Sequence, residues 1–564
     1  MSVRPDRAAA TDCPVEVLDC DVLVVGGGPA GTWAALAAAR AGSSVILADK
    51  GYTGTSGAGA AGTDVWYVQP DPEAREAAMA SREALGGFLS DRRWMGRVLD
   101  ETYARVDELA EPPRYPCAID AEGREIRSTL RGPDYLRRQR VRVELLGVTI
   151  LDHSPVLELL TDADGTVAGA RGLRLLAAGQ PYEVRAGAVV LATGGCDFLA
   201  TSPTGKGPTG KGPAGKGPTG KGPGGNTGDG ALLAAEVGAD LSGMEFTVAR
   251  SSGLDATSIT KTAFYSWARF YRADGSLIEG AARPHGRSLI ARTLLDEPVF
   301  ARLDKAEPPV RNALRFSQPN FFLPFDRQGI DPFTDLFPVT PPVAGAARGS
   351  GGVQVHDDDC WAGVPGLYVA GDTATRELIS GGFVRDGSQD ASWAISSGNW
   401  AGAAAAAFAG ELGRARGGRV LRPAGRAGLR PTGAAGPSDG YRAVVGAVQA
   451  EVLPYDQNHL RHGDWLTPAL AELDALWVGV RTSVAGVGTD ALRAREAAAL
   501  VASGRWMYAA ALARTETRGA HKRADYPSLD PAQRYRLTTG GLDRVWTSPG
   551  PIATTHPLLV GSAA

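Results

Sequence analysis

The sequence predicts an α/β chain that opens on a parallel β-α-β unit and closes on a helical domain, and three observations predict it. Asp21 to Val25 is a short apolar, β-branched run that gives way to Gly26-Gly27-Gly28-Pro29-Ala30-Gly31 and then to an alanine-rich stretch from Trp33 to Ala41. Strand-like runs recur between 148 and 192, set apart by turns at Asp164-Gly165 and Ala178-Gly179. Helical spacing dominates 441–526, where Leu466, Leu470, Leu473, Leu476 and Trp477 mark an apolar stripe. At 564 residues, 43% hydrophobic and 21% charged, the chain is long enough for several domains and a substantial core.

The first element is the most specific. A run that can be buried on both faces leads into a glycine turn, a helix ending at Gly42, and a second apolar run from Ser44 to Ala48 closed by Asp49. G-x-G-x-x-G at that turn, with an acid at the tip of the second strand, is the dinucleotide-binding fingerprint. Gly26 makes the tight turn, Gly28 lets the backbone approach a diphosphate, and Gly31 lets helix and strand pack closely. The diphosphate would lie on the helix N-terminus, where unpaired N–H groups attract anions, and Asp49 would accept from a ribose hydroxyl.

Residues 73–110 read as helical. Ala188 to Ala192 is a fully apolar strand ending in Thr193-Gly194-Gly195, a second glycine turn placed to bring backbone beside a cofactor. From Pro203 to Pro223 the chain repeats T/A-G-K-G-P, setting Lys206, Lys211, Lys216 and Lys221 five residues apart in a low-complexity loop (202–224) with almost nothing apolar to bury. It reads as a tolerated expansion of a surface loop; a cationic lid or a docking strip for an acidic partner is the alternative. A Gly-, Arg- and Pro-rich stretch at 411–440 reads as a linker to the C-terminal helical domain, 441–564.

Composition excludes several functions. A net charge of −3 supplies no field for nucleic acid or an anionic membrane. Five scattered cysteines without a C-x-x-C pair argue against a disulfide framework, a cysteine zinc site, an on-chain iron–sulfur cluster and c-type haem. The seven histidines show no metal spacing. No basic-then-apolar leader opens the chain, and no stretch reaches the ~18 uncharged apolar residues of a membrane span, so the expected compartment is the cytoplasm.

Further along, the chain resembles the flavoprotein family of fumarate reductase, succinate dehydrogenase and aspartate oxidase, which includes the alpha subunit of adenylylsulfate reductase. The resemblance begins at Gly26 to Asp49 and continues through Ser56-Gly57, Ala60-Ala61-Gly62, Ala192 to Gly195, Thr227-Gly228-Asp229-Gly230 and Met244-Glu245-Phe246. It then takes in Gly351-Gly352-Val353, Gly366 to Asp372, Arg385-Asp386-Gly387-Ser388, and the Arg514 to Pro527 signature. It implies a two-dinucleotide-fold FAD-binding domain (15–244 and 346–410), an inserted α+β capping domain (245–345) and a C-terminal helical domain. It also implies FAD, held by Gly26, Gly28, Pro29, Ala30, Gly31, Asp49, Lys50, Ser56, Gly57, Gly62, Ala192, Thr193, Gly194, Asp229, Gly371, Asp372 and Ser388. Several relatives attach FAD to a histidine in the serine-rich loop; residues 51–62 contain none, so the FAD is expected to be noncovalent.

The same family surrounds a dicarboxylate with two histidines and two arginines. Here Arg250 stands where the first histidine is expected, and Arg348 lies near the second position, which also lacks one. Arg287 matches the arginine of the family's R-D-x-x-S-R run, without the following acid, and Arg385 matches the arginine of the substrate-carboxylate loop with a one-residue offset. Four guanidinium groups favour an anion with several oxygens, which arginine grips bidentately while keeping its charge. His285, two residues before Arg287, is a candidate for the titratable proton; the alternative is a polar loop residue. Tyr265, Trp267, Phe270 and Tyr271 line a pocket or, the preferred reading, fill the cap's core.

The resemblance thus implies a flavin-dependent oxidoreductase acting next to a carboxylate on a small anionic substrate. Three alternatives stay open: an adenylylsulfate-reductase-like subunit that handles a sulfur oxyanion and passes electrons to a separate iron–sulfur or ferredoxin subunit, a noncatalytic FAD-binding electron-transfer subunit, and an oxidase that releases hydrogen peroxide.

Overall fold

The computed structural model describes residues 14–57, 63–109, 115, 117–119, 125–130, 132–198, 225–250, 267–281, 286–317, 319–339, 346–348, 350–383, 387–437, 439–454, 457–458 and 460–550. The 202–224 repeat, Gly62, Tyr265, His285 and Arg385 lie outside them.

The opening run forms strand β1 (Glu16–Val25), helix α1 (Pro29–Arg40) and strand β2 (Val45–Ala48). Val22, Leu23 and Val24 are fully buried, as strands covered on both faces by crossover helices require. An eight-stranded sheet runs in the order Arg422–Pro423, Val156–Thr161, Val167–Arg174, Gln180–Leu191, β1, β2, Thr149–Leu151, with Leu367–Val369 also joined to Gln180–Leu191. Pairing is parallel from Leu367–Val369 through Gln180–Leu191, β1 and β2 to Thr149–Leu151. The strands on the other side are antiparallel.

Helix Gly387–Leu412 crosses α1 against this sheet. Side chains at Gly398 and Gly402 would lie 2.4 Å from the Ala30 carbonyl oxygen and 2.2 Å from that of Ala34. The two glycines, one helical turn apart, are what let the backbones approach so closely. Residues 73–110 form two helices, Pro72–Leu85 and Arg92–Glu108, broken at Gly86 and Gly87; Gly87 has φ +65°.

Residues 267–339 carry a core of their own. An antiparallel sheet (Arg269–Tyr271, Val299–Arg302, Phe337–Val339) packs with helices through Phe270, Phe322, Phe325, Phe333 and Phe337. Phe270 is thus core, while the Tyr271 hydroxyl donates to Asp304 at 2.9 Å. The Gly-, Arg- and Pro-rich stretch after Leu412 joins the sheet edge by backbone pairing of Arg422–Pro423, buries Ala427, and is clamped by Arg430, which grips Glu158 through both terminal nitrogens.

In the C-terminal region Tyr441–Val452, Gly463–Ser483 and Thr489–Ala513 pack together; Leu466, Leu473 and Trp477 are buried, with Leu470 and Leu476 partly so. Thr489–Ala513 is buried on nearly every face, the pattern of a helix running inside a domain. A four-stranded sheet in the order Gly352–Val353, Leu241–Ser242, Leu537–Gly540, Trp546–Pro549 ties this region back to the main body. Among the described residues no helix is long and apolar enough to cross a membrane.

Candidate flavin crevice and the buried charge network behind it

The parallel strands end at one level. Val25 pairs with both Ala48 and Leu191, Leu191 with Val369, and Ala48 with Leu151. The segments that follow these ends therefore converge on one crevice outside the carboxyl edge, where open α/β sheets bind ligands.

Gly26 leaves β1 with φ +110°, and a side chain on it would lie 2.3 Å from the Ala192 carbonyl oxygen. A side chain on Gly31 would lie 1.7 Å from the Gly26 carbonyl oxygen. Gly28 differs: a Cβ there meets nothing closer than Gly57 Cα at 3.7 Å. Pro29 opens α1, whose N-terminus has no side-chain cap and no acid in its first turn. An uncapped N-terminus beside an open glycine suits a diphosphate, so these residues fit a dinucleotide such as FAD.

Asp49 is 4% exposed and mostly occupied within the protein. One carboxylate oxygen accepts from Gly27 N–H; the other accepts from Gly51 N–H at 2.6 Å and Ser56 Oγ at 2.8 Å. Three of roughly four acceptor positions are thus filled, leaving one for a ribose hydroxyl. Lys50 turns away to Asp229 at 2.6 Å, Glu496 at 3.0 Å and Thr227 at 3.1 Å. Burial works against its charge, but the two carboxylates outweigh that and hold the Lys50 pKa above its ordinary value.

Thr193 Oγ1 accepts from Gly230 N–H at 3.1 Å and meets Thr373 Oγ1 at 3.2 Å, and Gly194 turns with φ +78°. Gly371, φ +62°, donates to Ser397 Oγ and accepts from Trp393 Nε1; a side chain on it would meet Ala30 Cβ at 2.7 Å. Asp372 pairs with Arg376, which also reaches Asp390 at 3.1 Å. Ser388 lies in the first turn of Gly387–Leu412.

Of the five substrate-site candidates, three have described backbone. Arg250 and Arg348 lie on paired strands, Arg250 opposite Ala346 and Arg348 opposite Val248. Arg287 opens helix Gly286–Asp296 of the cap.

Behind these strands lies a buried network that local sequence patterning did not assign. Arg514 Nε donates to Glu245 Oε1 at 2.8 Å and Arg514 Nη1 to Glu516 Oε1 at 2.9 Å; Arg518 Nε donates to the same Glu516 oxygen at 2.6 Å. Arg461 donates to the Glu245 and Thr247 carbonyls and to His521 Nδ1 at 2.9 Å, while His521 Nε2 faces the Arg514 carbonyl at 3.1 Å. That pattern fixes a neutral imidazole with its proton on Nε2, and burial followed by the Arg461 charge holds its pKa well below the ordinary value. Burial likewise lowers the Arg461 pKa to about 10. Glu377 Oε2 accepts from Ser242 Oγ at 2.5 Å. Burial, then the neighbouring Glu245 charge, raises the Glu377 pKa to about 7. The motif carrying Arg514, Glu516, Arg518 and His521 was legible; their partners 269 residues away at Glu245 were not.

The family model for the FAD binding domain matches residues 21–255, and that for the fumarate reductase flavoprotein C-terminus matches 456–542. The chain is 28% identical to L-aspartate oxidase of Streptomyces coelicolor over 557 residues, covering 92% of this chain and 90% of that protein. It is also 28% identical to a fumarate reductase flavoprotein subunit of Mycobacterium tuberculosis, covering 90% and 92%. Among solved structures, a quinol-fumarate reductase aligns with TM-score 0.75 at 20% identity, covering 96% of this chain and 99% of the other. Adenylylsulfate reductase of Archaeoglobus fulgidus aligns with TM-score 0.73 at 18% identity, covering 97% and 98%. The carboxyl-edge crevice, the uncapped glycine turn and the C-terminal signature thus agree with both family matches: the chain belongs to the fumarate reductase, succinate dehydrogenase and L-aspartate oxidase flavoprotein family and is an FAD-dependent oxidoreductase.

Proposed function

We propose that this oxidoreductase dehydrogenates or reduces a small carboxylate next to its carboxylate group, the anion being held by arginines. FAD, when bound, supplies the acceptor or donor of the electron pair; the protein's part is to hold and orient the anion and to manage the accompanying proton. The observation that carries the reading is the pairing of the strands bearing Arg250 and Arg348, two arginines set diagonally, two register positions apart, on adjacent strands where the family resemblance places substrate. Arg287 at the start of a cap helix and Arg385 complete the proposed clamp. His285 is proposed as a titrating group of the same site. The relatives aligned along nearly the whole chain include L-aspartate oxidases, which favours a carboxylate over a sulfur oxyanion.

The segment from Gly51 to Gly62 offers no histidine, so the FAD is noncovalent in this reading, and acid precipitation should release it into the supernatant. Anaerobic absorbance of the flavin band against amino and plain dicarboxylates, with sulfite plus AMP as comparison, tests the substrate class. A dicarboxylate should change the band at a catalytic rate, and Arg250→Ala and Arg348→Ala should each raise KM by about 10- to 100-fold, the worth of a charge-assisted hydrogen bond. Response to sulfite plus AMP alone would replace carbon chemistry with sulfur chemistry and call for a separate electron-accepting subunit.

A further inference from the structure

Four buried polar side chains beside the strands of Arg250 and Arg348 have an atom with no hydrogen-bond partner among the described residues: Glu245 Oε2, Glu377 Oε1, Thr247 Oγ1 and Ser350 Oγ. Glu245, Glu377 and Ser350 are fully buried, and Thr247 is 7% exposed. Glu377 and Thr247 meet two glycines, Gly243 and Gly351, that neighbour Glu245 and Ser350 in the chain, and Arg514, which pairs Glu245, also acts on Glu377. A side chain on Gly243 would stand 3.3 Å from Glu377 Oε2, and one on Gly351 would stand 2.7 Å from both Thr247 Oγ1 and the Gly243 carbonyl oxygen. The Ser350 carbonyl is itself fixed by Arg376 N–H at 2.7 Å and Thr375 Oγ1 at 3.1 Å. Thr247 immediately precedes Val248–Arg250, and Ser350 follows Ala346–Arg348 by one residue.

Orphaned buried polar atoms are rare, and several together signal a proton shared between acids or bridging water. Two neighbouring buried carboxyls, each with one free oxygen, cannot both be ionised cheaply. The charged groups around them are accounted for. Arg514 pairs Glu245 and, with Glu516 and Arg518, forms the C-terminal side; Arg461 and neutral His521 lie behind Glu245. Arg536 acts on Glu377 from the hairpin side, and Ser242 is its hydrogen-bond donor. On Glu377's own segment Arg376 is engaged by Asp372 and Asp390.

We propose that Glu245 and Glu377 share one proton across their free oxygens, and that this acid pair passes protons through Thr247, Ser350 and intervening water to the arginine-bearing strands. The relay rests on the functional reading above. Dehydrogenation removes two hydrogens from the substrate: an electron pair with one of them, for which FAD would be the acceptor when bound, and a proton, which this chain must take up. The pair takes up that proton, going from one shared proton to two, and returns it to solvent before the next cycle. In reduction the sequence runs backwards: the pair takes a second proton from solvent and gives it to substrate carbon, returning to one shared proton. Glu377 is in these terms a positioning residue, acting through the hydroxyls.

Infrared spectroscopy of the FAD-loaded resting enzyme, without substrate, tests the acid pair independently of the reaction. The carbonyl band of a protonated buried carboxyl should be present at neutral pH, fade as pH rises, and be absent in Glu377→Gln. A titration with no such band overturns the pair whatever the substrate proves to be. For the relay, Glu377→Gln should lower kcat about 100-fold, the usual worth of a proton-transfer group, with KM unchanged and the matching limb of the pH profile lost. Ser350→Ala, which removes only an unpartnered hydroxyl and threatens the fold less, should lower kcat in the same direction and raise the solvent isotope effect. A kcat pH profile unmoved in both variants overturns the relay while leaving the functional reading standing. Absence of turnover on every anion overturns that reading and the relay with it.

Discussion

Two glycines in one turn should respond oppositely to the same substitution. Gly31→Ala places a Cβ 1.7 Å from the Gly26 carbonyl oxygen, backbone that cannot move without shifting β1; overpacking of this kind costs about 1–3 kcal/mol or more. Gly28→Ala places its Cβ 3.7 Å from the nearest protein atom, at φ −77°, where any L-residue is comfortable. The apo-protein should lose less than about 1 kcal/mol, because reduced freedom of the unfolded chain offsets the poorer N-cap. The added methyl instead fills the space where a diphosphate would approach α1. Displacing an anion from even one charge-assisted hydrogen bond costs about 1.5–3 kcal/mol, roughly 10- to 150-fold in affinity. Urea unfolding of the apo-protein and flavin fluorescence titration separate the two effects. Gly31→Ala should lower the unfolding midpoint, and Gly28→Ala should leave it near wild type while weakening FAD binding. A Gly28→Ala protein that binds FAD as tightly as wild type would refute the placement of the diphosphate.

Lys50→Met should cost about 1–3 kcal/mol in thermal unfolding, because it removes the cation shared by Asp229 and nearly buried Glu496, leaving Glu496 with Arg493 and Asp229 with the Thr227 hydroxyl. Arg514→Met strips the shared donor from Glu245 and Glu516, both fully buried. It should yield little soluble protein at 37 °C, and recovery of wild-type expression would show the network to be dispensable. Glu377 titrates near 7 in the folded chain against 4.5 for the ordinary carboxyl. Between those values the unfolded state binds fewer protons, so stability should fall as pH rises from about 4.5 to about 7 and then level off, by a total of order 1–3 kcal/mol. Glu377→Gln should remove that slope in urea titrations across the range, and an unchanged slope would count against the raised pKa.

The fold was legible where its causes are local. A β-branched run buried on both faces, glycines that need positive φ or close approach, and an alanine-rich helix are dictated within a few residues. Hence β1, α1, β2 and the strand ending at Leu191 stand where the sequence put them. The long helical stretch read at 73–110 broke in two because Gly87 takes φ +65° at its centre, a choice settled by packing against Arg518.

What the sequence by itself determined is the dinucleotide turn, the parallel β-α-β unit around it, and the presence of a C-terminal helical domain. What only the tertiary structure decided is how charge is distributed around the crevice. Asp49 was read as a ribose partner, yet much of its carboxylate holds Gly27 and Ser56 in place. Lys50 is a cofactor candidate in the sequence, and folding adds an ion pair with Glu496, 446 residues away. In the sequence Glu377 is one more acid in a mixed segment; it matters because folding brings it within reach of the Glu245 charge and buries both. The physical reason is the same in each case. Backbone preference and hydrophobic periodicity act between neighbours in sequence, whereas an ion pair or a shared proton depends on distance and burial, which exist only once the chain has closed on itself.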